Sequence, residues 1–150
     1  MSGSHIIGAF ALIFDNQGRL LICHRRDHDV WDVPGGGVEP GESPWDGVRR
    51  EVLEEVNIEI EECRLAVVQH KPLQNEITFG FVARTEHPRP SLSDEVRDVM
   101  SVPVTQLPER FHREQRMAIR AVEQANGDGI VTMTINDPCP REFWLQGVWS

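Results

Sequence analysis

Within the short run "REVLEEV" (Arg50–Val56), three glutamates fall at positions 51, 54 and 55. If the run is helical, Glu51, Glu54 and Glu55 sit at i, i+3 and i+4 and project from an arc about 100° wide. Like charges at that spacing repel by roughly 0.2–0.5 kcal/mol per pair in an isolated helix. Arg49 and Arg50 offset part of this, but they point to other sides. A divalent cation would turn the repulsion into coordination. Magnesium suits the set, because it takes oxygen ligands and completes its shell with water and substrate phosphates. The competing reading is a solvated acidic helix face, which is what a bare E-x-x-E-E pattern most often is.

The residues around the glutamates have to build the helix that carries them. Ser43 followed by Pro44 is a side-chain cap with proline at the first helical position. Trp45, Val48, Val52 and Val56 recur at three- and four-residue spacing as one apolar stripe. Asn57 closes the helix, since asparagine tolerates the left-handed cap conformation. Ahead of the helix, Gly35, Gly36 and Gly37 lack the lysine and hydroxyl of a phosphate-binding G-x-x-x-x-G-K-[ST] loop. They are expected to act as hinge and clearance, letting the chain turn tightly between a strand and the acidic helix.

Further elements follow from apolar runs and turn residues. Ile6 to Phe14 and Arg19 to Arg25 read as strands joined by the turn "DNQG", a hairpin. Trp31 to Pro34 is a short extended piece, with Trp31 either in the core or stacking a base. Strands are expected at 63–70, 77–84 and 98–102, with one more at 130–135. The segment "PERFHREQRMAIRAVEQANG" places Phe111, Ala118, Val122 and Ala125 on one face of a second helix that stops at Asn126-Gly127. No repeat or linker divides the chain, so the expectation is one domain over residues 1–150 of the α/β or α+β class.

Residues 36–58 resemble the signature of the Nudix hydrolases, G-x5-E-x7-R-E-U-x-E-E-x-G-U with U aliphatic. Gly36 is followed at the required spacings by Glu42, Arg50, Glu51, Val52, Glu54, Glu55 and Ile58. Asn57 stands where the pattern has glycine, a mild departure because both residues supply the same cap. Looser resemblance runs upstream through "LLICHRR" and "WDVPGG" and downstream to "VPVTQLPE". It spans roughly residues 6 to 126 and leaves 128–150 as a C-terminal extension.

The resemblance implies a Nudix fold, a mixed β-sheet sandwiched between α-helices. It also implies hydrolysis of a phosphoanhydride in a nucleoside diphosphate linked to X, with Mg2+ or Mn2+ as cofactor. Carried over by position, Glu51, Glu54 and Glu55 look like metal ligands, and one glutamate acts as general base. Arg50 holds a catalytic glutamate in place, and Glu42 helps from behind the ligands or through water. Glu95, with Asp98 in reserve, is the expected extra acidic ligand from a loop. Arg25 or Arg26 looks like a phosphate contact, and Gly36 lies at the substrate. A nucleoside triphosphate is the favoured substrate, ahead of ADP-ribose or a nucleotide sugar. A nucleotide-sensing module without turnover is the other alternative.

Composition limits the partners. The formal charge of −9 argues against a nucleic-acid backbone as ligand. No stretch has the length of a membrane span and the N-terminus lacks a signal-peptide layout, so a cytoplasmic location is expected. Cys23, Cys63 and Cys139 are scattered and read as free thiols. His24 and His28 do not share a helix and make no zinc pair. Phe143, Trp144 and Trp149 could cover a pocket, pack on the sheet or make a subunit contact, and a homodimer is one expectation.

Overall fold

The structure is a computed structural model that describes residues 4–86 and 88–137. Eight strands form one mixed sheet: β1 (Ile6–Phe14), β2 (Leu20–Arg25), β3 (Trp31–Asp32), β4 (Gly35–Gly37), β5 (Cys63–Lys71), β6 (Glu76–Arg84), β7 (Val96–Val102) and β8 (Val131–Thr134). The path runs β3-β2-β1-β6-β5-β8, with β4 also paired to β1 and β7 to β2. Helices α1 (Pro44–Val56) and α2 (Arg113–Gln124) cover opposite faces. This is the sandwich expected from the sequence. Among the described residues, no helix is long and apolar enough to cross a membrane.

The two-residue alternation of β1 explains both layers. Ala9, Ala11 and Ile13 face α1, where Val48, Val52 and Val56 close the core. Phe10 and Leu12 face the other way, toward Ala118 and Ile119 of α2 and the buried Phe111. Small alanines on one side let the acidic helix lie close to the sheet. Phe111 was expected on the face of α2, but it precedes the helix. His112 is the cap, its side chain accepting from the Gln115 N–H.

Three further expectations are corrected. The hairpin of β1 and β2 pairs only at its turn end, Phe14 opposite Leu20, because β4 takes Gly8–Phe10 of β1. Trp45 is 54% exposed rather than part of the buried stripe. The inner side of the first turn of α1 is filled by Val38 and Glu42, which approach Gly47. The glycine run does not turn. Gly35–Gly37 is strand β4, antiparallel to Gly8–Phe10, and its residues keep ordinary backbone angles.

Glycine is needed there for clearance instead. A Cβ on Gly35 would lie 2.7 Å from the Phe10 Cα, and one on Gly36 would meet the Glu51 carboxylate at 2.5 Å. Asn57 does behave as read from the sequence. It sits at φ 59 and ψ 37 and its N–H bonds the Leu53 carbonyl, ending α1.

Candidate active site

Helix α1 raises the three glutamates along the edge of β4. Glu51 lies over Gly36 and is partly buried, and burial raises its pKa. Glu55 reaches further in, where its Oε2 accepts from the Gly35 N–H at 3.2 Å. Burial first, and then the charge of Asp32, push the Glu55 carboxyl up to about 9. Glu54 stands outward with its side chain 59% exposed.

Arg50, expected from the sequence on another side of the helix, instead reaches across and ties these groups together. Its guanidinium grips Glu42 with two bonds, Nε to Oε2 at 2.7 Å and Nη2 to Oε1 at 2.9 Å. Nη1 donates to Glu51 at 3.0 Å and to Glu54 at 3.3 Å, and Nη2 donates to the Gly37 carbonyl at 3.0 Å. The fork holds the Glu42 carboxyl far down, at about 2. One arginine thus fastens the loop before α1, the helix and β4.

Glu95, at the entrance to β7, is exposed. Its charge helps to raise the carboxyls of Glu51, Glu55 and Asp32, so it belongs to the same acidic neighbourhood. Asp98 turns to its own chain, where Oδ1 accepts from the Val99 N–H. The two arginines of β2 and the residue after it also part company. Arg25 lines the cavity described below and bonds Asp27 and Asp32. Arg26 instead donates to the Ser93 carbonyl and fastens the loop that carries Glu95.

On the α2 side of β4 lies a cavity of about 250 Å³. Arg25, Asp32, Gly36, Lys71, Glu76 and Gln115 are among the residues around it. It adjoins the glutamate edge through β4 itself, because Gly35 lines the cavity and donates to Glu55. Asp32 is buried between the two regions. Burial pushes its carboxyl up to about 7, against the pull of the Arg25 guanidinium.

Asp32, Gln69, Lys71 and Glu76 went unnoticed in the sequence. A signal was present in β5: Gln69 and Lys71 continue the inward face that begins with the fully buried Val67. Polar residues on a buried strand face need a partner or a ligand. Trp31 lies half-buried, stacked on His24 at 4.6 Å and 11°. Phe143, Trp144, Trp149 and Cys139 lie outside the described residues.

Among the described residues, no three His, Cys, Asp or Glu side chains stand as a ready-made metal cage. The donor chemistry nonetheless fits a hard cation. All the groups are carboxylates, and two of them, Glu51 and Glu55, are held with raised pKa values by burial and by their acidic neighbours. A cation beside them would remove that penalty.

The sandwiched mixed sheet, with a carboxylate-bearing helix against a glycine strand, defines a domain that gathers acidic groups beside a cavity. The chain belongs to the NUDIX domain family, whose profile matches residues 4–122. A Bacillus subtilis protein provisionally named an 8-oxo-dGTP diphosphatase is 36% identical over 78 residues, 50% of this chain and 52% of that protein. An RNA pyrophosphohydrolase of a Psychrobacter strain is 30% identical over 77 residues, 51% of this chain and 44% of that protein. The chain thus matches about half the length of these relatives. The crystal structure of a MutT NUDIX hydrolase from Burkholderia pseudomallei superposes with a TM-score of 0.71 at 25% identity, covering 80% of this chain and 99% of that one. Hydrolases of this family use divalent metal ions.

Proposed function

We propose that this chain is a magnesium-dependent hydrolase that cleaves a phosphoanhydride bond in a small nucleotide, a nucleoside triphosphate first of all. The observation that carries this reading is the junction at β4. One strand of three glycines separates the glutamate edge from a cavity whose wall includes Arg25, Asp32, Lys71 and Glu76, and Gly35 touches both through its N–H bond to Glu55. A nucleotide with its base in the cavity would lay its phosphates across bare backbone toward the glutamates. Manganese would serve the same oxygen ligands.

Glu51, Glu54, Glu55 and Glu95 are the residues that would hold the metal, which when bound neutralises phosphate charge and acidifies water. Arg50 keeps Glu51 and Glu54 at fixed positions, and Glu42 fixes Arg50 in turn. Glu54 faces solvent and is well placed to take the proton of an attacking water. Arg25, at the cavity wall, is the phosphate contact in this reading. Arg26 serves the loop.

The formal charge of −9 favours a small nucleotide over an RNA end, because a long polyanion needs a basic surface. The test is a screen of nucleoside triphosphates, ADP-ribose, nucleotide sugars and dinucleotides with Mg2+, products resolved by chromatography. Glu54→Gln and Glu55→Gln should each lower turnover by about 10²-fold or more. Turnover that survives both substitutions intact would sink the reading. Binding without turnover of any compound would favour a sensing module.

A further inference from the structure

Glu95 is exposed, and among the described residues its carboxylate makes no hydrogen bond or ion pair. Its backbone, by contrast, is held from both sides. The N–H donates to the Ser93 hydroxyl oxygen at 3.3 Å, and the carbonyl accepts from the Arg26 N–H at 3.0 Å. Val96, the next residue, is buried and opens β7 opposite Arg25. A free carboxylate thus stands on fixed backbone.

Two arginine side chains complete the hold, each reaching from its own segment to the backbone of the other. Arg26, just past β2, donates from Nε to the Ser93 carbonyl at 2.9 Å. Arg97, in β7, donates from Nε to the Arg25 carbonyl at 2.6 Å and from Nη2 to the carbonyls of Arg26 at 3.3 Å and His28 at 3.2 Å. The register explains how Arg97 comes to lie there. Arg25 is opposite Val96 and His24 is opposite Asp98, so Arg97 is the extra residue of a β-bulge. A bulge re-aims a side chain, and this one lies across the end of β2. Both arginines are exposed, and among the described residues neither forms a salt bridge. Fixing a long side chain at a surface costs rotamer freedom, and here every bond goes to a carbonyl of the two segments that meet at Glu95.

We propose that Arg26 and Arg97 are positioning residues for Glu95, their clasp setting where the loop before β7 delivers its carboxylate to the glutamates of α1. This rests on the hydrolase reading above and adds two residues that lie outside the 36–58 signature. Magnesium demands near-ideal octahedral geometry, so a ligand displaced by about an ångström loses much of its hold. The competing role is purely structural: the clasp closes the end of the sheet, and its loss has no special bearing on Glu95.

A double-mutant cycle separates the two roles. Arg26→Ala and Arg97→Lys, each alone and each combined with Glu95→Gln, are compared in two ways. One is the steady-state rate with Mg2+ on the best substrate of the screen, and the other is Mn2+ binding without nucleotide, followed by electron paramagnetic resonance. Arg97→Lys keeps the charge but not the fork. Each arginine variant should lower kcat and weaken Mn2+ binding by about tenfold, with KM for the nucleotide little changed. In the Glu95→Gln background the same substitutions should cost less than about twofold. Equal losses in both backgrounds, or no loss in either, would overturn the proposal. Circular dichroism checks folding, and Ser93→Ala, which removes only the hydroxyl that accepts from the Glu95 N–H, replaces any variant that does not fold. Its smaller loss must also vanish without the Glu95 carboxylate. If no compound is hydrolysed, the hydrolase reading fails by itself and the Mn2+ arm decides. Weakening that depends on Glu95 supports the clasp, and weakening independent of Glu95, or no Mn2+ binding at all, overturns it.

Discussion

The Glu51 carboxylate rests directly on the α-carbon of Gly36, so that a Cβ at Gly36 would fall 2.5 Å from its Cδ and 2.7 Å from both oxygens. A strand residue without a side chain thereby fixes where a helix residue puts its charge. Gly36→Ala should leave the fold intact, because the obstacle is a movable side chain and the backbone angles are ordinary. Displacing a metal-binding carboxylate by about an ångström should cost about 10²-fold in kcat/KM. Gly35→Ala should instead destabilise the protein, because its Cβ would meet the backbone of Phe10 at 2.7 Å. Circular dichroism melts together with steady-state rates separate the two outcomes.

Arg50 makes two bonds to Glu42 and one each to Glu51, Glu54 and the Gly37 carbonyl. Lysine keeps the charge but has no planar fork. Arg50→Lys should therefore lower kcat by about 10–100-fold, with KM for the nucleotide changed less. A variant with wild-type kcat would show that the fork does not position the glutamates.

Raised carboxyl pKa values set a pH trend for the metal-free protein. Glu55 is pushed to about 9 and Asp32 to about 7, above their ordinary values of 4.5 and 3.8. Between the ordinary and the raised values, the folded state binds more protons than the unfolded state. Their contribution to stability should therefore fall as pH rises across about 4 to 9, opposed below about 6.5 by His112, whose burial holds its imidazole down at about 3. Mg2+ competes with those protons, so its stabilising effect should grow over the same range. Melting temperatures at pH 5, 7 and 9, in chelator and in Mg2+, test both slopes. A chelator curve that rises steadily to pH 9 would contradict the burial of these carboxyls.

Asn57 occupies a left-handed position at φ 59 that the family signature gives to glycine. Asn57→Ala should destabilise the protein by about 1–2 kcal/mol, and Asn57→Gly by far less. Urea titration measures both. Equal losses would mean that the cap conformation is not what selects the residue.

Several parts of this molecule were legible because the relevant physics is local. Helix α1 runs from Pro44 to Val56 with the Ser43 cap and the Asn57 stop that the sequence announces. Capping bonds reach only three or four residues, and three glutamates at i, i+3 and i+4 must share a side wherever the helix is placed. Trp45 misled for the same reason. Periodicity assigns it to the apolar stripe, but it cannot see Val38 and Glu42 arriving from the preceding loop.

The amino-acid order by itself determined the acidic helix, its ends, the strand-rich frame and the family pattern from Gly36 to Ile58. Tertiary structure alone decided which groups the glycines clear and what the helix faces. Gly35 and Gly36 serve clearance rather than turning, a fact that exists only once β4 lies between β1 and α1. The cavity is likewise assembled from all six strands β1 to β6 and the start of α2. Gln69, Lys71 and Glu76 come together at its wall through cross-strand register and burial by distant segments. Those are long-range properties, and no window of neighbouring residues contains them.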